Sequence, residues 1–266
     1  MRPIPFRKAA FSLPLFLIIL LFACMAVRSD APRPHLTRLA HLPRFTLWAW
    51  ERREDLRSLN PQIFAVAYLD QTITLGPTVH AQPRRDPVAF SAAMTRIPVV
   101  RIEIPRDTVL SNVQHAQALE ALIATSREPG IAALQIDFDA TRSQRAFYRN
   151  LLVDLRRRMP ANLPLSITAL ASWCSSDDWL RTLPIDEAVP MFFRMEPHGP
   201  ANFRPTRTEA LWYLNSYPIR EPLCQSSIGV STTEPWPTNL AGKRLYIFPD
   251  RGWQHEIPSE LPRRLE

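Results

Sequence analysis

The sequence predicts an α/β fold, a compact and partly degenerate (β/α)8 barrel of the TIM type, on three observations. The first is the stretch Ile131-Ala-Ala-Leu-Gln-Ile-Asp-Phe-Asp-Ala140, an apolar run with Gln135, Asp137 and Asp139 at every second position. Side chains alternate across a strand, so the three polar groups share one face while Leu134, Ile136 and Phe138 line the other. The second is that helix-like segments flank this strand, roughly 112–127 and 143–159, the latter with Phe147, Leu151, Leu155 and Met159 about one turn apart. A strand between helices implies a parallel sheet covered on both faces. Carboxylates on one face of such a strand must join a polar cluster or point into a site, and a barrel of parallel strands offers a partly polar interior. The third is a set of eight strand-like segments between residues 45 and 248.

Taken in order, residues 1–27 have a basic start, an apolar stretch from Ala9 to Val27, and then Arg28-Ser-Asp30. This reads as an export segment: a signal peptide cleaved after Ala26, an uncleaved anchor, or a lipoprotein leader in which Leu21-Phe-Ala-Cys24 loosely resembles the lipobox and Cys24 carries the lipid. Each places the body outside the cytoplasm, in the periplasm, with membrane contact through this segment alone. Residues 28–43, with Pro32, Pro34 and Pro43, read as a poorly ordered tether, and 44–266 as one barrel domain. Its strands are expected at Phe45–Glu51, Ile63–Asp70, Val99–Ile104, the 131–140 stretch, Leu165–Leu170, Ala188–Met195, Ser227–Thr232 and Arg244–Phe248, with a hairpin inserted at Thr72–Val79. Arg101 with Glu103, and Ser166 with Thr168, repeat the one-faced polar pattern on neighbouring strands. Shorter helices are expected at Asp177–Thr182 and Thr206–Asn215, and the connection after the seventh strand has almost no room.

The formal net charge of +7 owes three charges to Arg2, Arg7 and Lys8, leaving 7 − 3 = +4 on the rest. That charge is dispersed apart from Arg156-Arg157-Arg158, read as a solvated helix end, so no nucleic-acid partner is expected. Cys174 and Cys224, in an exported body, form a disulfide or remain two buried thiols. No Cys or His pair has ligand spacing, and His198 and His255 are isolated, so neither a metal nor a cofactor is expected.

Carboxylates gather at the strand ends, which form one rim in a barrel. Glu51, Asp70, Glu234 and Asp250 read singly as loop and cap residues. Asp139, Asp137, Glu103 and Glu196 are the catalytic candidates; the alternative for Asp137 is to pair with Arg101 or accept from Thr168 and serve only the core. Trp48, Trp50 and Trp173, with Trp253, fall near the same rim, where aromatic faces suit sugar rings. Arg101 and Gln135 complete the candidate binding set.

Ala133-Leu-Gln-Ile-Asp-Phe-Asp139, a helix, and then Leu165-Ser-Ile-Thr-Ala-Leu170 resemble strands four and five of the chitinase-like family 18 glycoside hydrolases, whose signature is Asp-Gly-x-Asp-x-Asp-x-Glu in a (β/α)8 barrel. The resemblance implies that Asp137 falls on the last Asp, which positions the substrate's acetamido group, and Asp139 on the Glu that is the general acid. Gln135 replaces an Asp and Ala133 the Gly. Met191-Phe-Phe-Arg194 resembles the Met-x-Tyr-Asp of strand six, with Phe193 for the Tyr and Arg194 for the Asp. The whole pattern, with its export segment and Trp-x-Trp-Glu opening, is similar to an uncharacterised family of bacterial exported proteins carrying a domain of unknown function. The expected function is glycoside hydrolysis of an envelope or extracellular glycan with Asp139 as acid. The alternatives are a non-catalytic glycan-binding barrel using the Trp rim, and an envelope protein with a structural partner.

Overall fold

The computed structural model describes residues 38–195, 206–255, 258, 260 and 261. The export segment with Cys24, the tether up to residue 37, Glu196 and His198 lie outside the described residues.

Among the described residues, the strands are β1 (Phe45–Ala49), β2 (Glu54–Asp55), β3 (Phe64–Leu75), β4 (Val79–Pro83), β5 (Val88–Ala89), β6 (Thr95–Glu103), β7 (Leu134–Asp137), β8 (Leu165–Leu170), β9 (Glu187–Met191), β10 (Ser227–Ser231) and β11 (Arg244–Phe248). Eight of them close into a parallel barrel in the order β1-β11-β10-β9-β8-β7-β6-β3, with β3 returning to β1. Helices α1 (Asn112–Ser126), α2 (Arg145–Arg158), α3 (Ala171–Ser175) and α4 (Arg207–Ser216) follow β6, β7, β8 and β9. The connections from β1 to β3, from β3 to β6 and from β10 to β11 carry no α-helix, which is the degeneracy. The α3 turn stands where the expected Asp177–Thr182 helix was placed slightly late; residues 177–182 form irregular turns.

Period-two alternation decides which side chains enter the barrel. On β7, Leu134 and Ile136 face outward and pack with Leu122 of α1 and Leu151 of α2. The barrel interior holds Ala65, Ala67, Ala133, Trp48 and Tyr246 in one cluster. The alanines leave the volume that the two large rings occupy. Ser111 caps α1 in a reciprocal box with Gln114, satisfying two backbone donors that the helix leaves open.

The tether boundary sits earlier than the sequence suggested. Leu39 and Leu42 are buried in the interior cluster, and the Leu39 carbonyl accepts from Arg244 Nη2 at 3.0 Å. The arginine run also does more than end a helix. Arg156 donates to the Pro184 and Leu163 carbonyls and pairs with the fully buried carboxylate of Asp186 at 2.6 Å. No helix among the described residues is long and apolar enough to cross a membrane.

The inserted hairpin is not an insertion but the continuation of β3, which runs for twelve residues and turns into antiparallel β4. At Asp70 the register against β6 slips: Leu69 faces Val99 and Gln71 faces Val100. This extra residue reverses which side chains face inward. Below it Ala65 and Ala67 point into the barrel; above it Thr72 and Thr74 take that face, while Ile73 and Leu75 turn outward into the layer under α1.

Candidate functional site

The polar strand faces stack as three buried tiers along the barrel axis. In the lowest, Tyr246 Oη donates to Glu187 Oε1 at 2.6 Å and Arg244 Nη1 to Glu187 Oε2 at 2.7 Å, with Glu187 fully buried. In the middle, Trp48 Nε1 donates to Gln135 Oε1 at 2.8 Å and Gln135 Nε2 to Ser166 Oγ at 3.1 Å, all three residues being inaccessible to solvent. In the highest, Thr168 Oγ1 donates to Asp137 Oδ1 at 2.7 Å and Arg101 Nη1 to Asp137 Oδ2 at 3.1 Å. These inward polar groups satisfy one another within the barrel, as buried polar groups usually must, whereas the Thr46 and Ser227 hydroxyls, also inward, are buried without a hydrogen-bond partner among the described residues.

Above the highest tier opens a cleft of about 520 Å³ at the C-terminal ends of the strands, where barrels hold their chemistry. Asp137 and Asp139 stand on one wall and Glu234 and Asp250 on others, with Trp50, Phe193, Tyr213 and Tyr217 supplying aromatic surface. Phe248 lies beneath Phe193, ring centroids 4.7 Å apart, in space that Gly229 leaves open: a Cβ there would come within 3.2 Å of the Phe248 ring. The Arg101 guanidinium lies 5.2 Å from the Trp50 ring and also pairs with Glu103 at 2.8 Å.

Asp139 lies just past the end of β7, exposed at the cleft, and among the described residues it makes no hydrogen bond or ion pair. The protein around it takes away part of its hydration all the same. That partial desolvation raises its carboxyl above the ordinary value; the charge of Asp137 raises it further, and Arg101 opposes both. Asp137 is raised by burial, against the lowering pull of Thr168 and Arg101. The pair therefore comprises one anchored carboxyl and one unbonded carboxyl that holds its proton more tightly than a solvated Asp.

Of the residues singled out from the sequence, Asp137, Asp139, Arg101 and Trp50 meet in this cleft. Glu103 lies beside it, exposed and paired with Arg101. Trp48 is part of the cleft floor, buried and bonded from below by Gln135, which supports the site without lining it. Trp173 is elsewhere: 2% exposed, it packs edge-on against Trp179 with centroids 4.9 Å apart, in the layer outside the barrel. It follows β8 directly, but the α3 turn carries it outward. The two tryptophans should accordingly respond differently to truncation. Trp173→Ala is expected to cost about 3–5 kcal/mol of stability in denaturant unfolding, while Trp50→Ala leaves unfolding nearly unchanged and weakens binding to the cleft.

The cleft also holds two tyrosines that the sequence did not single out. Tyr213 and Tyr217 are four residues apart, ring centroids 5.7 Å, and this helical spacing of two aromatics was the available signal. Arg194 adopts a left-handed backbone with φ of 53°, held there by Glu234, whose carboxylate accepts the Arg194 N–H at 2.9 and 3.1 Å. A side chain with a Cβ pays about 1–2 kcal/mol for that conformation. Glu51 and Asp70 are local, Glu51 accepting the Arg85 and Asp86 N–H groups and Asp70 the Thr125 hydroxyl. Cys174 and Cys224 form a disulfide between α3 and the turn before β10. Among the described residues no group of three or more His, Cys, Asp or Glu is placed to hold a metal ion.

Residues 94–197 match the model of a domain of unknown function, DUF3142. The match spans β6 to β9 and so contains Arg101, Gln135, Asp137 and Asp139. No curated protein matches the chain. Among solved structures, the spore cortex-lytic enzyme SleL of Bacillus cereus is similar at 15% identity and a TM-score of 0.44, over 71% of this chain and 51% of that one. A chitinase of Rhizomucor miehei is similar at 12% identity and 0.45, over 71% and 68%. The chitinase domain of the spore coat protein CotE of Clostridium difficile is similar at 12% and 0.44, over 71% and 65%. The chain spans about half the length of SleL.

Proposed function

We propose that this is an exported glycoside hydrolase acting on an envelope or extracellular glycan, with Asp139 as general acid. The observation that carries the reading is Asp139 itself: a carboxyl with no bonding partner among the described residues, held above its ordinary pKa, facing an aromatic-walled cleft beside an anchored second carboxyl. An acid for glycoside cleavage needs that raised affinity for its proton. In the step it performs, the Asp139 proton passes to the glycosidic oxygen as the anomeric C–O bond breaks. Water adds its hydroxyl to the anomeric carbon, and its remaining proton returns to the carboxylate. Trp50, Tyr213 and Tyr217 offer ring faces for the sugars.

One observation favours a second reading, a glycan-binding barrel without turnover. Phe193 brings no hydroxyl to the position where the resemblance implies a Tyr, and both Asp137 oxygens are already engaged. The test is to incubate residues 31–266 with a panel of envelope and extracellular polysaccharides and assay new reducing ends, with Asp139→Asn alongside. Turnover lost in the variant supports the hydrolase; no turnover on any polymer by the folded domain, with binding retained, supports the second reading.

The pH profile gives an independent check. An acid works while protonated, so kcat/KM should fall as pH rises through the Asp139 pKa. Asp137→Asn removes the like charge that raises that pKa, so the alkaline limb should move to lower pH. A limb that stays in place would separate Asp139 from catalysis.

A further inference from the structure

The cleft does not end at Asp139. A second concavity of about 410 Å³ shares Arg101, Asp137 and Asp139 with it and continues past the barrel rim along Thr74 and Glu103. One side of it is a projection of the sheet itself, which lines it with Thr74, Arg101 and Glu103. β7 reaches its last residue at Asp137, opposite Arg101, while β6 runs two residues further and β3 accompanies it, Thr72 facing Arg101 and Thr74 facing Glu103. β4 extends the projection as a third strand, with Thr72 opposite Gln82 and Thr74 opposite His80. Residues opposite one another in a sheet share a face, so one face of this projection carries Thr72, Thr74, His80, Gln82, Arg101 and Glu103. Its other face is apolar, with Ile73, Leu75 and Ile102 buried under α1.

The slip at Asp70 is what makes the first face polar. In unbroken alternation from Ala65 and Ala67, Gln71 and Ile73 would have faced the cleft. Instead Gln71 turns outward and donates to Thr125 Oγ1 of α1 at 2.7 Å, and the threonines replace it. Bulges of this kind gather at barrel rims and beside active sites, where they re-aim side chains.

We propose that the polar face of the β3–β4–β6 projection is a shelf that binds a glycan chain on one side of Asp139, so that the enzyme engages several sugars and cuts within a polymer rather than at its end. The ligand class rests on the hydrolase reading above; the shelf itself rests on the geometry. Hydroxyl, amide, imidazole, guanidinium and carboxylate groups on a flat face match the many hydroxyls of a saccharide. Among the described residues the opposite end of the cleft is also open. A third concavity of about 430 Å³ adjoins it through Thr233 and Glu234 after β10, and β10 lies across the barrel from β6 in the strand order. A chain crossing the mouth therefore has room on both sides of the acid.

The test uses oligosaccharides of β-linked N-acetylglucosamine, graded from dimer to octamer. They are assayed for cleavage by the exported domain and titrated calorimetrically onto Asp139→Asn. The shelf predicts that kcat/KM and affinity both rise with chain length, and that early products are of intermediate size. The double variant His80→Ala and Gln82→Ala, at two exposed positions, and separately Thr74→Trp, should each reduce the octamer-to-dimer ratio by about tenfold, the equivalent of one or two hydrogen bonds. Cleavage with a flat length dependence, or release of end units only, overturns the shelf and leaves the hydrolase reading standing. Affinity that rises with length and falls in the variants, without turnover, sustains the shelf and overturns the hydrolase. Neither binding nor turnover overturns both.

Discussion

Asp139→Asn is expected to lower kcat on a cleaved glycan by roughly 10²–10⁴-fold, the range that general acid catalysis supplies, with substrate affinity nearly unchanged. The amide keeps the shape of the carboxyl and cannot deliver a proton to the leaving oxygen. Because the interaction lost is one made in the transition state, kcat and kcat/KM should fall together. The fold should not suffer. Asp139 has its pKa raised in the folded protein, so the stability it contributes is present below the unfolded value and is lost as pH rises through the folded one. At neutral pH the charged carboxylate is therefore a small liability, and its replacement by Asn should leave the melting temperature the same or higher. A variant that loses activity and also melts early would point to a structural role. The discriminating result is full loss of turnover in a protein at least as stable as its parent.

The second large effect concerns stability. Replacing Cys174 and Cys224 by Ser is expected to cost about 4 kcal/mol, from the loop entropy of a bridge whose ends are 50 residues apart. In a domain of this size that corresponds to a fall of roughly 8–16 °C in melting temperature, and reduction of the native protein should produce the same shift. The bridge closes a segment that includes β9 and α4, so it fixes the side of the cleft carrying Phe193, Tyr213 and Tyr217. Both cysteines are buried, at 1% and 0% exposure, so reduction should be slow unless the domain first opens. A double variant that melts with the parent would show that packing around α3 holds this side without the covalent tie.

Much of the site could be read before any fold was in hand, because its central elements are local. The alternation of Gln135, Asp137 and Asp139 is a property of ten residues. So is the match between Ser166 with Thr168 and the strand beside it, which the structure realises as bonds from Thr168 to Asp137 and from Gln135 to Ser166. Strands β8 and β11 lie at the bounds expected for them. Proline misled at one boundary. The sequence suggests a strand that starts after Pro98, at Val99, yet β6 begins at Thr95 and includes the proline. Its missing N–H costs nothing where no partner needs that donor.

The long strand β3 was harder. Twelve residues with a register slip read naturally as a strand and a separate hairpin, since a bulge breaks the very alternation by which a strand is recognised. A bulge is also defined only against a partner, two residues opposing one, and that partner, β6, was some thirty residues away. Trp173 failed for a related reason. Its place after β8 suggested the rim, but the direction of a side chain past a strand end is set by the turn that follows.

The sequence by itself determined where the eight barrel strands lie and, on the unbroken ones, which face is polar, because period-two alternation is written residue by residue and needs no neighbour. It determined in the same way that two carboxyls lie on one strand face. Tertiary structure alone decided that Asp137 is anchored and Asp139 left without a bond, that Tyr213, Tyr217 and Glu234 come to the same cleft, and that a polar shelf continues from it. Those outcomes depend on closure of the barrel and on the register between strands far apart in the chain, and distances of that kind are fixed only when the sheet has paired.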